Sequence, residues 1–171
     1  TLDIATTDVV TGNASLGTAG TLSDARVLGF TVSGASLFVG QGGVLTNNRT
    51  VAEPGDGAVG FSATGATFSL ASVTASDGTT SFTGAQVSLA NAALVGVDAV
   101  DLQLSGSFKL NSTSVVGGGR IDWATASNAT NDPEGLIPDL QISAAQQLSA
   151  SGSASLDIAD GAVGFSEVGI S

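Results

Sequence analysis

The side chains best able to do chemistry in this chain are carboxylates. Asp56, Asp77 and Asp98 recur 21 residues apart, each opening a copy of one text: DGAVGFSATGATFSL, DGTTSFTGAQVSL and DAVDLQLSGSFKL. Closer pairs stand at Asp98/Asp101, Asp157/Asp160 and Asp132/Glu134, and Asp122 adjoins the single tryptophan, Trp123. With no His and no Cys, the chain cannot build Ser-His-Asp or Cys-His catalysis, imidazole or thiolate metal sites, or disulfides. Carboxylates alone can hold a hard cation, which takes several carboxylate and carbonyl oxygens, or cleave a glycosidic bond as a matched pair.

For the cation, the candidate calcium ligands are Asp56, Asp77, Asp98, Asp101, Asp157 and Asp160. If the repeated Asp residues line one edge of a stack about 4.8 Å apart, neighbours repel by roughly 1 kcal/mol even at the dielectric of water. Either a calcium ion relieves that repulsion, or each Asp accepts hydrogen bonds from the N–H groups of its own turn. The second reading is preferred, since the Gly-Gly-x-Gly-x-Asp nonapeptide of calcium rolls is absent. For sugars, the candidate site is Asp122 and Trp123 with Asp132 and Glu134; the preferred role for Trp123 is an anchor beneath the Pro-containing loop. The Gly-rich pieces at 40–43 and 117–119 lack the Lys-Ser/Thr of a phosphate loop. An enzyme is not expected. Four Asn-x-Ser/Thr sequons (Asn13, Asn48, Asn111, Asn128) carry little weight in so Ser/Thr-rich a chain.

The elements that position these carboxylates read as strands. After the Gly of each copy (Gly65, Gly84, Gly106) come apolar residues two apart, Phe68/Leu70, Val87/Leu89 and Phe108/Leu110, and a period of two is the signature of a strand. The phenylalanines keep to this register, so Phe30, Phe61, Phe68, Phe82, Phe108 and Phe165 are the expected core, each adding roughly 1.5–3 kcal/mol on burial. A longer echo joins the two ends of the chain: Leu2–Ala5 matches Leu156–Ala159, and DGAVGF at 56–61 returns at 160–165. Repeats of about 21 residues within one of about a hundred are the texture of a repeat array.

The expected fold is all-β. Its preferred form is a β-solenoid of coils of about 21 residues with Gly at a corner; the alternative is antiparallel β-sandwich repeats with Ser-Gly hairpin turns. The chain divides into first strand units and a loop or hairpin excursion (1–55), central repeats (56–121), a Trp- and Pro-containing insertion (122–141) and the start of the next long repeat (142–171). The one stretch of helical texture, Ser143–Ala150, is read as strand because its flanks alternate.

A net charge of -11, with four basic residues against fifteen acidic ones, repels nucleic acid and anionic lipid. No apolar stretch is long enough for membrane insertion. The opening residues TLDIA already read as the inside of a strand, so a longer parent protein is expected. The units GFSATGATFSLASV and SFTGAQVSLANAALVGVDAVDLQLSGSFKLN, with the returning DGAVGF, resemble the strand repeats of giant bacterial surface and secreted proteins of the adhesin-like or filamentous kind. The resemblance implies an extended extracellular or cell-surface scaffold and a role for Ca2+. The expected function is a structural repeat module, such as an adhesin stalk, matrix fibre or surface-layer component, whose partners are neighbouring repeats, copies of itself and surface glycans. The alternative is a carbohydrate-binding or carbohydrate-cleaving β-helix.

Overall fold

The computed structural model describes residues 1–49, 51–97 and 100–158. Alternation of small and branched residues produces strands, and six of them form one antiparallel sheet: β1 (Leu2–Val10), β2 (Thr21–Thr46), β3 (Val51–Thr74), β4 (Ser81–Val95), β5 (Val100–Thr113) and β6 (Leu148–Ile158). They lie in the sheet in the order of the chain, β1 to β6. The class is therefore all-β, and the sheet is an open antiparallel meander in which each strand bonds to its chain neighbours. Among the described residues, helix is confined to α1 (Trp123–Ala126) and a three-residue turn at Asn47–Arg49.

Two compact units are drawn from these strands. The first comprises Thr1–Val32, Phe68–Gln86 and Phe108–Ser149; the second comprises Ser33–Thr67, Val87–Ser107 and the stretch beginning at Ala150. Because strand direction reverses at every turn, residues one repeat apart do not stack. Phe61 belongs to the second unit and Phe82, 21 positions later, to the first. The glycines expected at corners or hairpin turns lie inside strands instead: Gly65 in β3, Gly84 in β4 and Gly106 in β5. Gly65 takes φ 69 there, a left-handed backbone that glycine adopts without the steric cost other residues meet. The expected excursion around 41–55 narrows to the turn between β2 and β3, where Asn47, Asn48 and Arg49 all have positive φ.

The β1–β2 pair sets the register of the first unit. Leu2 faces Phe30, Ile4 faces Leu28 and Thr6 faces Arg26, until a bulge between Thr7 and Val9 restarts the pairing at Leu22. Asp24 fills the bulge at φ 51, and its N–H donates to Asp8 Oδ1 at 3.0 Å. Asp tolerates this left-handed backbone better than most non-Gly residues.

In the first unit, one face of the sheet is buried. Ala25 and Val27 of β2, Ala71 and Val73 of β3 and Phe82 of β4 pack with Ile121, Trp123, Ile137, Leu140 and Ile142. The segment between β5 and β6, which contains the stretch 122–141 read from sequence as an insertion, thus supplies most of the larger side chains of the core. Its path is fixed by hydrogen bonds to the sheet: Lys109 Nζ donates to Gln141 O at 2.7 Å, and Gln141 N–H to Gln86 Oε1 at 3.1 Å. Gly84 lets it approach closely, since a Cβ at that position would stand 2.6 Å from Trp123 Cε2.

Of the phenylalanines expected in the core, Phe82 is buried, Phe30 and Phe61 are half-buried, and Phe68 and Phe108 are exposed. The correction has a simple cause: Phe68 and Phe108 point to the face that the covering segment does not reach, because successive residues of a strand point to opposite faces. Phe165 lies outside the described residues. Ser143–Gln147, expected as strand, is a turn-containing connection, and β6 starts at Leu148.

Candidate functional site

The sequence-derived candidates separate into three places. Asp77 occupies the turn from β3 to β4, where its Oδ1 accepts from Thr79 N–H at 2.7 Å and Thr80 N–H at 2.9 Å, and its Oδ2 from the Thr80 hydroxyl at 2.9 Å. The loop is closed by Ala75 N–H donating to Thr80 O at 2.9 Å. This is an Asx-type turn, the preferred alternative to a cation for this residue. Donation from the backbone of Thr80, then of Thr79, then from the Thr80 hydroxyl, lowers the Asp77 pKa from 3.8 to about 2.

A carboxyl whose pKa is lower folded than unfolded stabilises the fold above the unfolded value and ceases to do so as pH falls through the folded one. Asp77→Ala should therefore be less stable than the parent near neutral pH. The deficit should close as pH falls from 3.8 toward about 2. Urea unfolding at a series of pH values reads this, and a deficit that does not change across that range contradicts the turn's role.

Asp56, Asp101 and Asp157 are exposed on β3, β5 and β6 and belong to the second unit, so they form no row with Asp77. Asp98 and Asp160 lie outside the described residues. Among the described residues, no three acidic side chains are grouped closely enough to hold a metal ion.

The Trp123 region is a closed polar and apolar knot. Asp122 caps α1, its Oδ1 accepting from Thr125 N–H at 3.0 Å, while its own N–H donates to Thr11 O at 2.8 Å. Next along the chain, Trp123 is fully buried, and its Nε1 donates to Asn111 Oδ1 at 2.9 Å. The Asn111 amide in turn donates to Ile121 O at 2.8 Å and Ser143 O at 3.0 Å. A fully buried indole presents no ring face to a sugar, so the ligand-binding role of Trp123 is replaced by that of an anchor. Asp122 is likewise engaged by the cap.

Asp132 is buried nearby and accepts from Leu136 N–H at 3.0 Å and Ile137 N–H at 2.6 Å. These bonds shape the turn that delivers Ile137 to the core. Glu134 is exposed beside it. Both line a small hollow of about 110 Å³ together with Asp8 and Asn131. With Asp132 engaged by two N–H groups and Asp8 by Asp24, the hollow lacks the matched pair of free carboxyls that glycoside cleavage uses.

Asn111 is the residue that sequence reasoning passed over, noticing it only as a sequon. It is fully buried and joins β5, Trp123 and the covering segment. The available signal was the single tryptophan: a buried indole N–H needs an acceptor. A second concavity of about 390 Å³ lies in the second unit, lined by small and amide side chains that include Asn91, Gln103 and Ser105. Comparison with family models, curated proteins and solved structures found no match to this chain.

Proposed function

We infer that the chain is a structural repeat module of a long extracellular or cell-surface bacterial protein, a segment of a stalk, fibre or surface layer. The observation that carries this reading is the placement of the repeated text. The two stretches that share Leu-Asp-Ile belong to β1 and β6, the outer strands in the sheet order. An outer strand offers unpaired N–H and C=O groups to the next strand, so related repeats can add to the sheet through backbone bonds that need no particular side chain. The length of β2 and β3, 26 and 24 residues, suits a load spread over many such bonds.

Neighbouring repeats are the natural partners, and the acidic exterior limits unwanted association. Coils of about 21 residues stacked as a solenoid are one way for repeats to accumulate; addition strand by strand is the way the meander favours. Stretching a tandem fusion of the chain between its termini by single-molecule force spectroscopy tests the mechanical role. The expected record shows discrete unfolding steps well above the force of an entropic chain. Smooth extension without steps would overturn the reading.

A further inference from the structure

Among the described residues, the first unit leaves one face of its sheet uncovered, and that face is largely apolar. Lys109, Asn111, Gln86 and Phe82 meet the covering segment, so alternation turns their neighbours to the opposite side. There Phe30 and Phe68 have ring centroids 6.0 Å apart, and Leu2 and Ile4 pair across to Phe30 and Leu28. Exposure is 62% at Leu2, 73% at Ile4, 41% at Val32, 36% at Phe68 and 42% at Phe108. At about 150–200 Å² per large apolar residue, the lower part of the range for aromatic ones, these five alone expose roughly 400–500 Å², within the range of a monomer's largest patch.

We propose that a second copy of this chain covers this face, sheet against sheet, in a two-fold dimer. Two copies would bury roughly 800–1,000 Å² through these side chains alone, close to the floor of about 1,000 Å² for a specific interface before any neighbouring residue is counted. Charge points to the same occupant. Each copy carries a net charge of -11, so most approaches between copies are repulsive. Away from the bulge where Asp8 and Asp24 meet, however, residues alternating onto this face include no carboxylate, and their one charge is Arg26. Pairing through it keeps the acids apart.

Sheets packed face to face interdigitate their inner side chains, and in an isologous contact the same patch of each copy meets itself. Added salt tightens such a dimer, by screening the net charge.

Sedimentation of the full chain over a dilution series tests this, with the double variant Ile4→Asp, Phe108→Asp in parallel. Both positions are exposed in the single chain, so folding, read from Trp123 emission, is expected to persist. The expected result is a dimer for the parent and a dissociation constant raised about tenfold or more in the variant. A parent that is monomeric throughout overturns the proposal and leaves the scaffold reading standing. A dimer that survives both substitutions overturns it too, since copies then meet through another surface, such as the edge of β1. Should the double variant not fold, single cysteines decide in a chain that has none. Ala85→Cys should cross-link copies through a short bis-maleimide and Glu134→Cys, on the covered side, should not; failure at Ala85 overturns the proposal.

Discussion

Replacing Trp123 with alanine should be the most damaging single change in the chain, lowering stability by about 3–5 kcal/mol, as removal of a large buried aromatic side chain does. The indole is fully buried, and it lies directly over Gly84. Without it, Phe82 and Ile142 lose packing partners in the same core cluster. Trp123→Phe restores much of the volume but not the N–H, so it should cost clearly less than the alanine change. Urea unfolding followed by far-ultraviolet circular dichroism ranks the variants. Equal losses for phenylalanine and alanine would mean that volume is not what the site requires.

The second large effect belongs to Asn111. Its side chain accepts from Trp123 and donates to Ile121 O and Ser143 O, and among the described residues no buried side-chain nitrogen or oxygen lacks a partner. Asn111→Leu preserves size but strands two buried polar groups, the Trp123 indole N–H and the Ile121 carbonyl, and leaves the part-buried Ser143 carbonyl without this donor. Each buried group costs about 1–3 kcal/mol, so a loss of at least about 2 kcal/mol is expected. Asn111→Asp should be no better, because it keeps the acceptor for Trp123 while removing the donors and burying a charge. A double-mutant cycle of Asn111→Leu with Trp123→Phe isolates the Trp123–Asn111 bond. Strict additivity would show that the two residues act independently and would contradict the knot described here.

The period of two in FTVSG, FSLASV and FKLN told strand correctly, because alternation is a local property of the backbone. It did not tell which face is covered. Phe82 and Phe68 obey the same alternation, yet one is buried and the other exposed, a difference decided by a segment more than 35 residues further along the chain than either. That segment was legible as an interruption, with its prolines and turn residues, but its apolar residues Ile121, Ile137, Leu140 and Ile142 are spaced irregularly and carry no periodic signal.

The glycines misled for a related reason. Gly65 and Gly84 sit at matching places in the repeat, and a turn was the economical reading. In the fold, one takes a left-handed backbone inside β3 while the other clears space for an indole 39 residues away in sequence. The Asp repeat was read more successfully at Asp77, because an Asx turn is made by three or four consecutive residues and needs no distant partner. Asn111 was hidden because its hydrogen bonds reach 10, 12 and 32 residues away.

Trp123 also provides the most direct measurement. The segment between β5 and β6 seals one face of the first unit's sheet, with this residue at its centre. Quenching of the single tryptophan's fluorescence by acrylamide reads that seal in the intact chain. The expected result is a blue-shifted emission that acrylamide scarcely reaches until urea unfolds the protein. A native emission quenched as readily as that of the unfolded chain would contradict it.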